Sequence, residues 1–377
     1  MTTGRRALSA AALASLLTTS ASAQGRIANA QTETRSAAQS LEREVAAVAA
    51  QRRAAWIGYR VPMVAGSRQM CCYDTVSDAG TCCGRCRLDG GGGVTMNTGN
   101  AGDPAAMSGS RVMLEPPTEF LVLARVEGGS VMRLRTFTPD CDIDAGGMPV
   151  VWLTDVKPDD SVAWLASLVA STGDGPGAPG DGGDGTRHQR VGKPAISAIA
   201  LHSGPAADRA LDSFAAAARP EWQRSDTAFW LGSTRGDHGV RVLTGMIAQD
   251  PSDRVREKAV FGLSVSKSPA ALPTLLATAK DDKSAHVRGQ ALFWLAHKAG
   301  QQAVRAIANA ITDDPETEVK KKAVFALSQL PKDEGVPKLI EVARTNHNPE
   351  VRKQAMFWLG ESKDPRAVKF FEEILAR

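Results

Sequence analysis

The C-terminal half of the chain repeats one twelve-residue stretch at a fixed interval. The stretch reads DPSDRVREKAVF at 250–261, DKSAHVRGQALF at 282–293, DPETEVKKKAVF at 314–325 and NHNPEVRKQAMF at 346–357. The starting positions of the four copies, 250, 282, 314 and 346, are evenly spaced. A fixed interval of this length predicts stacked copies of one supersecondary unit.

Each unit is predicted to contain two helices. The Asp or Asn that opens the stretch is a typical helix cap, and a Pro in the first turn often follows it. Val255, Ala259 and Leu263 then recur at intervals of four residues and form one apolar stripe. The polar turn Ser264–Ser268 leads into a second apolar column, so the unit is interpreted as a helical hairpin. Residues 191–222 keep this register without the aromatic residues, and we predict six units across 191–377, the first one degenerate.

The pattern D-x-x-x-x-V-R-x-x-A, present at Asp250–Ala259 and Asp282–Ala291, resembles HEAT repeats. The similarity is to the short bacterial kind, the HEAT-like repeats of phycobilisome lyases, and it covers about half of the chain. It implies an all-α solenoid with a 32-residue period. It implies little about activity, because solenoids of this class have many unrelated functions.

An acidic or amide residue and a cation recur six residues apart in every copy. In HEAT repeats such a pair implies a ladder that joins each repeat to its neighbour, with the guanidinium bound to a carboxylate of its own or the next unit. The role is therefore expected to be structural. The predicted ladder consists of Asp250, Arg256, Asp282, Arg288, Asp314, Lys320, Asn346 and Arg352.

Aromatic residues form a further set of columns. At about 100° per residue, the Phe of each copy points roughly 160° away from the Val-Ala-Leu stripe. Two interpretations stay open: packing between repeats, or an aromatic ridge on the concave surface that binds a protein or peptide partner. The Trp of one copy alternates with Gly262 or Ala326 in the next. The candidate partner-binding residues are Phe229, Trp230, Phe261, Phe293, Trp294, Phe325, Phe357 and Trp358.

The N-terminus has the pattern of a secretory signal peptide over residues 1–23. Arg5 and Arg6 precede an apolar run from Ala7 to Leu17, and the small residues Ala21–Ala23 provide a cleavage site. We therefore expect a bacterial protein exported to the periplasm or the cell exterior. The apolar run is too short to span a bilayer of about 30 Å, so the mature chain is not expected to be an integral membrane protein.

The charge balance does not favour nucleic-acid binding. The formal charge of +4 falls to about +2 once the two arginines of the signal peptide are removed, and no polybasic block stands out along the chain.

Residues 24–60 are predicted to form an amphipathic helix, running from Gln31 to about Trp56. Leu41, Val45 and Val48 lie at helical spacing within it. Residues 61–170 follow as a small cysteine-rich α+β domain.

All six cysteines lie within this small domain. Export makes disulfides the expected chemistry, with the connectivity left open. The alternative is a metal site, because Cys83 and Cys86 have the spacing of half a zinc knuckle. We predict disulfides, with no metal and no cofactor; the cysteines are Cys71, Cys72, Cys82, Cys83, Cys86 and Cys141.

The same domain contains a hairpin pattern around Gly128-Gly129, with strands at 120–127 and 130–137. A two-residue turn would pair Leu123 with Leu134 and Phe120 with Phe137. A third strand is predicted at 148–154, and then a helix at 161–170 that Asp159 or Asp160 would cap. Residues 171–190, rich in Gly, Pro and Asp, are predicted to be a flexible linker.

The sequence favours a binding scaffold over an enzyme. Di-iron hydroxylases built of HEAT repeats carry His-Glu dipeptides, and none occurs in this chain. The alternative function, an enzyme or a metal- or cofactor-binding protein, would have its site in the cysteine-rich domain. The six histidines, none followed by Glu, are His188, His202, His238, His286, His297 and His347.

Overall fold

The computed structural model describes residues 26–66, 86–89, 117–139, 141–172, 187–298 and 300–376. The predicted signal peptide, most of the predicted linker (173–186) and the cysteines at positions 71, 72, 82 and 83 lie outside these ranges.

The N-terminal part is an α+β domain with two sheets. The larger sheet has the order β2-β8-β3-β5-β6, in which β2, β8 and β3 are parallel and β3, β5 and β6 are antiparallel. The smaller sheet has the order β1-β7-β4. The strands are β1 Arg26–Ala28, β2 Gln31–Ser36, β3 Ala55–Pro62, β4 Cys86–Arg87, β5 Glu119–Glu127, β6 Ser130–Phe137, β7 Asp142–Asp144 and β8 Pro149–Thr154.

The structure corrects the long helix predicted within residues 24–60. The helix, α1, covers only Leu41–Ala49. Ser40 caps its N-terminus, because the Ser40 hydroxyl accepts a hydrogen bond from the backbone N–H of Arg43. The residues on either side form β2 and β3 instead. The reason lies in β3, where aromatic and β-branched residues follow one another and are buried on both faces of the sheet.

The hairpin of β5 and β6 is confirmed, but its predicted register is wrong beyond the turn. A β-bulge between Arg125 and Val126 shifts the pairing by one residue, so Leu121 faces Phe137 and Leu123 faces Arg135. Because side chains alternate along a strand, the shift moves Leu134 onto the opposite face. The predicted third strand is present as β8, within the sheet between β2 and β3.

A helix, α2 (Pro158–Ala170), covers one face of the larger sheet and begins earlier than predicted. Pro158 occupies the first turn, a position that suits its fixed φ, so Asp159 and Asp160 lie inside the helix instead of capping it. The opposite face holds a second core around Trp56 and Trp152, packed against the smaller sheet.

Residues 193–375 form helices arranged in two layers. The first layer contains α3, α5, α7, α9, α11 and α13, and each of these helices packs against the next one. The second layer contains α4, α6, α8 and α10, which also pack each against the next, and α12, which packs against α14. This arrangement fits the predicted HEAT-like solenoid. The helices are α3 Lys193–Leu201, α4 Pro205–Ala215, α5 Glu221–Thr234, α6 Gly236–Gln249, α7 Asp253–Val265, α8 Ala271–Asp281, α9 Ala285–His297, α10 Gln301–Asp313, α11 Thr317–Ser328, α12 Lys332–Thr345, α13 Pro349–Ser362 and α14 Pro365–Leu375.

The two parts share one hydrophobic core, which the sequence did not predict. The backbone N–H of Val64 donates to the carbonyl of Leu201 at 2.7 Å. His202, fully buried, lies 2.9 Å from the Ser161 hydroxyl, which in turn lies 2.8 Å from the hydroxyl of Tyr59. The array therefore begins directly on the sheet and α2.

None of the helices that the structure describes is long and apolar enough to cross a membrane.

Candidate binding surface

All eight predicted aromatic residues come together in one continuous series of ring contacts along the first layer. Neighbouring ring centroids are 4.8–5.7 Å apart, from α5 to α13. We call this series the aromatic ladder. In order of contact, its members are Trp230, Phe229, Phe261, Trp294, Phe293, Phe325, Trp358 and Phe357.

The ladder alternates between two kinds of contact. Phe229 stacks on Phe261 with centroids 5.7 Å apart and planes at 19°, and Phe293 stacks on Phe325 at 5.7 Å and 7°. Trp294 joins the two stacks, at 4.8 Å from Phe261 and 4.9 Å from Phe293. The contact pattern therefore repeats every second unit.

Small residues explain this alternation. In the contact between α5 and α7, a Cβ added to Gly232 would overlap the carbonyl of Gly262, and one added to Gly262 would overlap the carbonyl of Ala228. The two backbones approach so closely that α7 has no space for a Trp beside Phe261. Large and small residues therefore have to alternate along the layer.

The ladder is half-buried. Val255, Ala259 and Leu263, the predicted core stripe, are fully buried, whereas the phenylalanines next to them keep one edge accessible. The most accessible is Phe357, at 55% exposure. The rings thus pack between repeats and also form a strip of apolar surface. Their role in partner binding stays a prediction.

A row of polar residues lies one to two turns before the ladder phenylalanines of α7, α9 and α11. His286 Nε2 is 2.9 Å from a Glu257 carboxylate oxygen, and the Lys322 ammonium donates to His286 Nδ1 at 2.8 Å. Burial lowers the pKa of Lys322. This chain of contacts joins α7, α9 and α11 beside the rings. Sequence reasoning missed it, because the three residues do not share a column of the repeat.

Asp226, a half-buried acidic group on α5, lies one turn before Phe229. Burial raises the pKa of Asp226 to about 6, although Lys193 and Lys258 act in the opposite direction. The nearest ammonium, that of Lys193, is 3.8 Å from the carboxylate. The face therefore carries acidic and basic groups beside its apolar strip.

The predicted ladder of charges forms over part of its length. Arg224, Arg256 and Arg288 each reach the Asp that opens the next unit, at 2.8, 3.4 and 2.7 Å. Arg224 was missed, although it lies in the same column, one unit before Arg256. The carboxylates that receive these guanidinium groups are those of Asp250, Asp282 and Asp314.

Each of these aspartates has two roles. Asp314 accepts hydrogen bonds from the Arg288 guanidinium and from the backbone N–H of Glu316. Burial would raise the pKa of Asp314, but these bonds outweigh it and hold the pKa below its usual value. Asp314 is the C-cap residue of α10 and not, as the sequence predicted, the N-cap of α11, which is Glu316. Its carboxylate ties the turn between these two helices to the preceding unit.

The charge ladder does not continue through the last predicted members. Lys320 donates to the carbonyl of Thr312 at 2.7 Å, and Asn346 accepts a hydrogen bond from the backbone N–H of Asn348. Arg352 donates to the backbone carbonyl of Asn346. An amide has no net charge to attract an ammonium, so the interaction between units is lost at this step.

Little of the cysteine cluster falls within the described residues. Cys141 is fully buried and disulfide-bonded. The side chains of the other five cysteines lie outside what the structure describes. In the described part of the chain, no three His, Cys, Asp or Glu side chains are grouped as metal ligands. The predicted connectivity, and the alternative of a site in this domain, therefore stay predictions.

Several solved structures are similar to this chain. Human deoxyhypusine hydroxylase is 16% identical with a TM-score of 0.23, over 57% of this chain and 90% of that protein. YibA of Escherichia coli is 21% identical with a TM-score of 0.35, over 58% and 79%. An engineered protein is 20% identical with a TM-score of 0.24, over 56% and 84%.

No curated protein matches the sequence. Residues 304–377, which include α11–α14, match the HEAT repeats family. This match supports the prediction that the helical array is built from HEAT repeats.

Proposed function

We propose that this chain is an exported bacterial scaffold of six HEAT-like hairpins that binds another protein or a peptide along the aromatic ladder, on the concave surface. The observation that carries the proposal is the ladder itself. Seven half-buried rings and the exposed ring of Phe357 form an unbroken apolar strip across five helices, and polar groups lie one to two turns away. Aromatic residues at such surfaces are the side chains that most often dominate protein recognition.

The spacing of the ladder limits the shape of its partner. Packed helices lie about 8–10 Å apart, so the strip offers an apolar contact at roughly that interval. A peptide in the polyproline II conformation advances about 3.1 Å per residue and has three residues per turn, so every third side chain lies on the same side. Every third residue of such a peptide would then meet one helix, and the residues between could reach Lys258 or Lys322.

A selection from a displayed peptide library tests this directly. We expect enrichment of apolar or aromatic residues at every third position, and loss of at least about tenfold in affinity on Trp294→Ala plus Phe325→Ala. Leu272→Ala plus Val304→Ala, on the second layer, provides a control with the same loss of half-buried apolar side chains. Lys258→Glu probes the polar row at an exposed position. Unchanged affinity in a folded ladder variant would refute the proposal.

Export is a separate part of the proposal, supported by the pattern at residues 1–23. We expect the protein in the periplasm or medium with Gln24 as its first residue, and no free thiol after denaturation without reductant. Mass spectrometry and thiol titration measure both. Stoichiometric zinc or iron together with reactive thiols would instead favour an enzyme or metal protein with its site in the cysteine-rich domain.

A further inference from the structure

The outer face of α13 repeats the face that α5 presents to α7. Three residues of α13 occupy the same columns of the repeat as three residues of α5, four units earlier in the array. The residues are Arg352, Phe357 and Gly360 in α13, and Arg224, Phe229 and Gly232 in α5.

In α5 all three positions are occupied by α7. Arg224 Nε donates to the Asp250 carboxylate at 2.8 Å, and Phe229 stacks on Phe261. Gly232 lies against the carbonyl of Gly262, so closely that no side chain would fit between the two helices. Asp250 thus pairs with Arg224, the ring of Phe261 with the ring of Phe229, and the backbone at Gly262 with Gly232.

In α13 the same three positions are open. The Arg352 guanidinium donates to the backbone carbonyls of Asn346 and His347, and no carboxylate among the described residues lies within ion-pair distance of it. Phe357 is 55% exposed, and Trp358 of its own helix is the one aromatic ring among the described residues that its ring contacts. A Cβ built on Gly360 would meet nothing within 4 Å.

We propose that this face binds one helix of a partner protein that resembles α7. An Asp lies three residues before the start of that helix, and eleven residues after this Asp comes a Phe followed by Gly or Ala. The Asp binds Arg352, the Phe stacks on Phe357, and the small residue allows close approach at Gly360. This surface lies at the end of the first layer, so it extends beyond the function proposed for the ladder.

A second copy of this chain cannot supply such a helix without unfolding. The segments with Asp eleven residues before Phe begin at Asp250, Asp282 and Asp314, and each belongs to a helix packed between two others of the first layer. The corresponding position before α13 is Asn346, which lacks the charge. The opposite end of the array is covered too, because α3 packs against α2 and β6. No helix among the described residues is free to occupy this face, so the proposed occupant is a different protein.

The test uses a synthetic peptide with the sequence of residues 249–266, which includes α7. It is labelled with a fluorophore and kept helical by a staple between positions 254 and 258, both exposed in α7. Its helicity is checked by circular dichroism, since isolated helices of this length are marginal in water. Fluorescence anisotropy with the full-length protein should show saturable binding.

The variants separate docking from folding. Gly360→Leu should weaken peptide binding by at least about tenfold without unfolding the protein, because the space beside Gly360 is empty. Phe357→Ala, and Phe261→Ala in the peptide, should weaken it by a similar factor. Gly245→Leu is the matched control, because a Cβ there also meets nothing within 4 Å, and it lies on α6. Its affinity should equal that of the wild type.

Three results would overturn the proposal. One is the absence of binding by the helical peptide at about 1 mM; another is equal affinity for wild type and Gly360→Leu. The third is a wild-type dimer, seen by sedimentation, that Gly360→Leu dissociates, since the face would then bind a second copy. None of these results depends on the middle of the aromatic ladder, so failure here leaves the proposed function standing.

Discussion

Acidification should weaken the joint between the α+β domain and the helical array through His202. This imidazole is fully buried, with Nδ1 2.7 Å from the carbonyl of Ala198 and Nε2 2.9 Å from the Ser161 hydroxyl. Burial lowers the pKa of His202 to about 4; the charge of Arg235 also lowers it, whereas the hydrogen bond to Ala198 and the charge of Asp159 raise it. The folded protein therefore holds this side chain neutral.

The size of this loss of stability follows from the difference between the pKa values of His202 in the unfolded and folded chains. The unfolded chain protonates His202 near the ordinary value of 6.5, whereas the folded chain does so only near 4. Between these values the unfolded state binds more protons, so the free energy of unfolding falls as the pH falls. The stability is fully present above pH 6.5. At about 1.4 kcal/mol per pKa unit, roughly 2–3 kcal/mol is lost by about pH 4.5 and about 3–4 kcal/mol once both states are protonated.

Urea unfolding of wild type and His202→Gln at pH 7.5 and 4.5 measures this effect. The glutamine does not titrate, so the stability difference between the two proteins should shrink by roughly 2–3 kcal/mol on acidification. Taking the difference removes the contribution of Asp226, which titrates in the same range. His347→Gln, at an exposed histidine, is the matched control. Equal loss of stability in wild type and His202→Gln would refute the reasoning.

Three further predictions concern single side chains. Arg288→Met leaves the buried Asp314 without its partner and should lower the free energy of unfolding, measured in urea, by about 3–5 kcal/mol. Lys320→Met should change it by no more than about 1 kcal/mol. Equal losses in the two variants would contradict the charge ladder. Asp226→Asn should raise the Tm at pH 7.5 but not at pH 4, because the folded chain with its pKa of about 6 is already protonated there; a gain independent of pH would show that the carboxylate charge is not the cause. Gly58→Ala places a Cβ 2.8 Å from the Trp152 ring and should lower the free energy of unfolding by about 1–3 kcal/mol. Gly245→Ala, the control, should be neutral or stabilising. Similar unfolding midpoints for the two variants would argue against tight packing at Gly58.

Sequence patterns predicted only part of the structure of the α+β domain. The alternation of apolar residues predicted β5, β6 and β8, but not the bulge at Arg125, because a bulge reflects how strands fit a twisted sheet and leaves no trace in the pattern. In residues 31–56 the helical spacing of α1 was extended over two neighbouring strands. Their partners, β8 and β5, lie far away in sequence, so local spacing could not reveal the pairing.

The sequence by itself determined the helical array, because the apolar stripe recurs in every unit and the aromatic column in all but the first, and each unit contacts mainly its neighbours. It also identified every ring of the aromatic ladder. Only the tertiary structure decided which groups meet: that Arg288 binds the Asp of the next unit, that Lys322 reaches His286, and that His202 joins the array to the sheet. These contacts depend on the distance and angle at which separate elements pack, and a one-dimensional pattern does not contain that information.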